Sequence, residues 1–127
     1  MKLEFSVPLY MKIKKDKLTL IGLNWYRNAH FTELNKVKKA YAHYIKTQLL
    51  DNTIKFNKYK IYINLYYKNT LSDLDNSTSV ILKFVNDALQ KEGIIENDNL
   101  KFFNAYSAFV AGMDKNNPRL EIIIEGI

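Results

Sequence analysis

Three aspartates bracket one helical stretch of this sequence. Asp73 and Asp75 stand one residue apart in Ser72-Asp73-Leu74-Asp75-Asn76, ahead of an apolar-periodic run, and Asp98 follows the glycine that closes the run. In extended backbone an Asp-x-Asp pair projects both carboxylates to one side, because strand side chains alternate with period two. A turn after the helix brings Asp98 back towards the pair. Three carboxylates around one point suit a hard divalent cation such as Mg²⁺, with Mn²⁺ as its substitute. The competing use of Asp73 and Asp75 is helix capping and turn formation. Glu96 is an alternative ligand, whereas Asp87 falls on the helix surface as a structural acid.

Apolar periodicity sets the elements around these acids. Residues 2–9 alternate as a first strand, which Pro8 limits to an edge or a strand end. Residues 10–21 continue as strand, with a turn near Lys15-Asp16-Lys17. Gly22 to Phe31 reads as a loop by its glycine and two asparagines. Thr32 reads as an N-cap with Glu33 in the first turn, and the helix runs to about Leu50. Leu34, Val37, Tyr41, Tyr44, Ile45 and Leu49 fall on one side of it at helical spacing. Residues 57–68 alternate, with Tyr59, Ile61, Ile63 and Leu65 on the buried face. Asn76 or Ser77 caps the second helix, which Gly93 suits as C′ residue. Residues 100–111 and 119–125 read as strands joined by a turn, a C-terminal hairpin.

The order is strands, helix, strand, helix, strand, strand. That predicts an α/β (α+β) fold: a single two-layer domain over residues 1–127, with a mixed sheet and two main helices on one face. The strand after the first helix carries the aspartate pair near its C-terminal end, where open sheets place active groups.

Composition narrows the partners. There is no cysteine, which excludes disulfides and thiolate metal sites. No apolar run is long enough to span a bilayer and the first residues form no secretory h-region, so the expected compartment is the cytoplasm. Nineteen Lys and Arg against thirteen acids leave a net charge of +6, which points to a polyanionic partner. Lys12, Lys14, Lys15 and Lys17 make either a solvated hairpin tip or phosphate contacts. Asn24, Arg27 and His30, in the Gly22–Phe31 segment, are further candidates for DNA contact.

The run Asp73-Leu74-Asp75-Asn76, the segment Asn86-Asp87-Ala88-Leu89-Gln90-Lys91-Glu92-Gly93, Asp98, and the closing Arg119-Leu120-Glu121-Ile122-Ile123-Ile124-Glu125 together resemble the RusA family of Holliday junction resolvases. The segment Gly22-Leu23-Asn24-Trp25-Tyr26-Arg27-Asn28-Ala29-His30-Phe31 resembles the corresponding loop of phage-borne relatives. The resemblance implies that Asp73, Asp75 and Asp98 bind Mg²⁺ and act in catalysis. It implies a homodimer that cuts opposing strands of a four-way DNA junction, encoded by a phage or prophage. The enterobacterial members have a catalytic lysine four residues after the second aspartate, where this chain has Ser79; counting back from Asp87 and Gly93 puts Lys83 in its place.

The function expected is Mg²⁺-dependent, structure-selective endonuclease activity resolving Holliday junctions by paired phosphodiester hydrolysis, with Lys83 offsetting developing negative charge. The alternative is a DNA- or junction-binding protein of the same fold without efficient cleavage, as the Ser79 departure permits.

Overall fold

The computed structural model describes residues 1–127. In chain order the strands and helices are β1 (Lys2–Pro8), β2 (Tyr10–Lys14), β3 (Lys17–Leu20), α1 (Leu23–Asn28), α2 (Phe31–Gln48), β4 (Tyr59–Tyr67), α3 (Leu74–Lys91), β5 (Phe103–Met113) and β6 (Arg119–Gly126). The main sheet has the order β1-β6-β4-β5; β2 and β3 form a separate hairpin. β6 is antiparallel to both β1 and β4, and β4 is parallel to β5, so the sheet is mixed. The architecture is the expected α+β arrangement with two main helices.

One face of the sheet is apolar by alternation. Phe5 and Val7 of β1, Tyr59, Ile61, Ile63 and Leu65 of β4, and Leu120, Ile122 and Ile124 of β6 are all buried. Val37, Tyr41 and Ile45 of α2 and Val80, Ile81, Val85 and Leu89 of α3 join them in a single core of 27 residues. Hydrophobic burial on that scale is the main favourable term in folding. Tyr41 and Tyr59 are in this core with their hydroxyls satisfied: Tyr41 donates to the Pro8 carbonyl at 2.9 Å and Tyr59 to Asn86 Oδ1 at 2.8 Å.

The expected C-terminal hairpin does not form. β5 and β6 are consecutive, yet β4 lies between them. The burial patterns explain the placement. β6 buries every second residue and has neighbours on both sides, whereas β5 has no buried residue and lies at the edge. The crossover through α3 makes β5 parallel to β4, and β6 then fills the slot between β4 and β1.

Three local expectations are also corrected. The Gly22–Phe31 segment is not all loop, because Leu23–Asn28 forms the short helix α1. The N-cap of α2 is His30, not Thr32: His30 Nδ1 accepts from the Thr32 N–H at 3.3 Å, and Glu33 accepts from the His30 N–H at 3.1 Å. α3 starts at Leu74, ahead of Asn76 and Ser77, with Asp73 as its N-cap. Gly93 does close α3 as expected, at φ +73°, where a residue without Cβ is least strained. No helix is long and apolar enough to cross a membrane.

Candidate functional site

β4 ends at Tyr67, and the chain turns through Asn69, whose Oδ1 accepts from the Leu71 N–H at 3.1 Å. It enters α3 at Leu74. Asp73 has extended backbone but Asp75 lies in the first helical turn. The pair therefore straddles a helix start and is not the extended Asp-x-Asp expected. Both carboxylates still sit where the helix dipole is positive, which favours negative charge. Asp73 makes no side-chain capping bond, and neither carboxylate is in an ion pair. The alternative use of Asp73 as a helix cap is thus not realised by its side chain.

Asn76 ties a second element to this place. Its Oδ1 accepts from the Leu23 N–H at 2.9 Å, and its Nδ2 donates to Ser72 Oγ at 2.7 Å. The start of α1 is thereby fastened to the start of α3. Gly22 permits the approach, since a Cβ there would lie 2.6 Å from Asn76 Nδ2. The tie brings Asn24 and Arg27 of α1 to the same open cleft as Asn69, Ser72, Asp73 and Asp75, with a volume of about 550 Å³. Arg27 is in no ion pair. Tyr10 also lines the cleft, and the Lys68 ammonium lies 5.4 Å from the centre of its ring.

Four expected site residues thus meet: Asp73, Asp75, Asn24 and Arg27. Asp98 does not join them. α3 has 18 residues, about 27 Å of helix at 1.5 Å per residue, and Asp98 follows its far end. The chain beyond Gly93 stays there, held by the Phe56 N–H to the Ile94 carbonyl at 2.8 Å and the Tyr59 N–H to the Phe102 carbonyl at 2.8 Å. The Asp98 charge acts on Tyr59 instead: burial first, then Asp98, raises that phenol above its ordinary pKa. Within one chain no three His, Cys, Asp or Glu side chains gather in a group able to hold a metal. The expected convergence of Asp73, Asp75 and Asp98 in one chain is therefore corrected; Glu96, in the same distal loop, adds no ligand to the pair.

Lys83 is also elsewhere. Its ammonium lies 5.2 Å from the Tyr26 ring centre, and eight residues of helix separate it from Asp75, about 12 Å along the axis. Ser79, four residues after Asp75, turns back on its own helix and donates to the Asp75 carbonyl at 2.6 Å. Asp87 is at the surface with Lys38 at 3.8 Å, as expected of a structural acid. Lys12, Lys14, Lys15 and Lys17 belong to the β2–β3 hairpin, where Lys14 lies 3.9 Å from Glu33. None of the four lysines lines the cleft. His30 is engaged as the α2 cap, with its ring 4.5 Å from that of Phe31.

Sequence reasoning missed Lys68, Tyr10 and the role of Asn76. Lys68 carried a usable signal, a cation directly between a strand end and the aspartate turn. Asn76 gave none, because its partner Leu23 is 53 residues away in sequence.

No family model and no curated protein matches this chain.

Proposed function

We propose that the Asp73–Asp75 cleft is the centre of a Mg²⁺-dependent endodeoxyribonuclease acting on branched DNA. The observation that carries this reading is the pair of carboxylates without capping bond or ion pair, in a cleft that also holds the unpaired Arg27. Mg²⁺ takes one or two carboxylates, keeps several waters and completes its shell with substrate phosphate, so the donor set fits. Bound there, the cation would supply an activated water and stabilise charge on the phosphoryl group. The chain's own residues would bind and orient the substrate. Arg27 and Lys68 offer cations to the phosphates flanking the scissile bond, and the start of α3 offers backbone N–H groups to an anion. Asn24 and Asn69 offer amides to the sugar–phosphate backbone. The net charge of +6 supports a polyanionic substrate.

Four-way junctions as substrate, a homodimer as the working unit and a phage or prophage origin follow from the resemblance to the RusA family. The separation along α3 adds a condition: if Asp98 takes part in the chemistry, it does so from a second copy.

The binding-only alternative has an observation in its favour. Ser79 is spent on the helix backbone, and Lys83 is held over Tyr26 away from the cleft. In the nuclease reading Lys68 and Arg27 supply the positive charge instead.

Titration with Mn²⁺, read by electron paramagnetic resonance, tests the metal site apart from activity. Binding that disappears in Asp73→Asn and Asp75→Asn, with the circular dichroism spectrum unchanged, is the expected result. Equal Mn²⁺ binding by the wild type and by both variants would contradict the proposed site.

A further inference from the structure

A second groove lies between the β2–β3 hairpin and α2, and neither Asp73 nor Asp75 lines it. Met11 and Ile13 of β2 and Val37 and Ala40 of α2 give it an apolar floor. Leu18 and Tyr44, 53% and 43% exposed, stand at its rim. Its volume is about 380 Å³, within the range of clefts that seat a ligand.

The charge around this floor has one sign. Lys12 and Lys36 line the groove, and no acid does. The Lys36 ammonium is fixed there, donating to the Ile13 carbonyl at 2.8 Å. That carbonyl is neutral, so the positive charge stays uncompensated. Lys15 and Lys17 continue the cationic row to the hairpin tip. Lys12, Lys15, Lys17 and Lys36 are in no ion pair. Lys14 lies 3.9 Å from Glu33, and Asp16 is the only acid of the hairpin. From Lys12 to Lys15 the chain advances about 10 Å at ~3.3 Å per residue. The cations therefore reach past the end of the apolar floor.

We propose that this groove is a docking site for an acidic peptide segment of another protein. An apolar side chain of that segment is seated between Leu18 and Tyr44, and its carboxylates lie along Lys12, Lys36 and the hairpin tip. Charge complementarity and the apolar floor select this occupant together. A phosphate backbone would use the lysines and leave the floor unfilled. A small apolar molecule would fill the floor and leave the lysines unused. An apolar anchor in a pocket, ringed by polar contacts that exclude water, is the usual source of affinity in such docking. Tyr10 lines both this groove and the aspartate cleft, so the docked partner stands beside the cleft. The docking does not depend on cleavage there.

Fluorescence anisotropy of the full chain, without metal or DNA, tests the groove apart from any nuclease activity. The probe is a short fluorescein-labelled peptide of Asp and Glu around one Leu and one Phe. Saturable binding is expected. Replacing the peptide's Leu and Phe by Ser should weaken it about tenfold or more, and so should Leu18→Ser in the protein. Lys12→Glu should weaken it as well and flatten its dependence on salt. Leu18 and Lys12 are exposed in the free chain, so circular dichroism should stay unchanged in both variants. Equal binding of the serine peptide overturns the proposal, because charge alone would then hold the probe. Absence of saturation up to about 1 mM peptide overturns it too. A duplex oligonucleotide that displaces the peptide and itself loses affinity in Leu18→Ser would give the groove to nucleic acid. A wild-type dimer in sedimentation that Leu18→Ser dissociates would give it to a second copy. Either result overturns the proposal.

Discussion

Asn76 both lines the cleft and ties together the two helix starts that form it. It joins two helices whose starts are far apart in sequence, and Arg27 of the tied helix lines the same cleft as Asp73 and Asp75. Asn76→Ala leaves the Leu23 N–H without its acceptor and should lower stability by about 1–3 kcal/mol, read by denaturant unfolding. Asn76→Asp keeps that acceptor and should recover most of the loss. Arg27→Ala and Lys68→Ala should each weaken DNA binding and reduce the salt slope of the affinity by about one, measured by fluorescence anisotropy across salt concentrations. Lys83→Ala should leave the slope unchanged, because that ammonium lies over Tyr26, which does not line the cleft, whereas Lys68 lies over Tyr10, which does. At this scale the sequence disclosed the acids and misplaced one of them. Spacing predicted where Asp98 falls along the chain. It could not show that 18 residues of straight helix, closed by Gly93 and stitched to Phe56, put Asp98 at the far end of the fold.

Individual elements were legible wherever burial alternates. β4 shows the predicted inward set Tyr59, Ile61, Ile63 and Leu65, and α3 buries Val80, Ile81, Phe84, Val85, Ala88 and Leu89 at helical spacing. α1 escaped notice because glycine and two asparagines read as loop, whereas its placement comes from Asn76 on another helix. Tyr59 joins two elements through Asn86. Tyr59→Phe strands the Asn86 carbonyl oxygen and should cost about 1–3 kcal/mol. The same phenol makes stability depend on alkaline pH. Its pKa in the folded chain is raised above the ordinary value of 10.0, chiefly by burial and then by Asp98, and burial raises Tyr41 likewise. The neutral phenols therefore contribute in full below about pH 10 and lose that contribution as the pH climbs above it, because the unfolded chain ionises first. Denaturant midpoints measured from pH 9 upward should fall, and fall less steeply in Tyr59→Phe.

For the whole molecule, the α+β class and the two-layer arrangement were legible, and the strand order was not. A central strand and an edge strand are told apart by what covers their second side, and β5 and β6 both read as plain strands in sequence. The exposed apolar residues of β5 show which of the two lies outside. The chain runs from the C-terminal end of β4 into α3, and Asp73, Asp75, Asn24 and Arg27 line one cleft there. Whether that gathering cuts DNA is decided by one assay. A labelled mobile four-way junction and a matching linear duplex are each incubated with the protein in Mg²⁺ or in EDTA, beside Asp75→Asn. Paired nicks in the junction alone, abolished by EDTA and by Asp75→Asn, are the predicted result. Tight junction binding with no cleavage in Mg²⁺ or Mn²⁺ would contradict the nuclease reading and leave a DNA-binding protein of this fold.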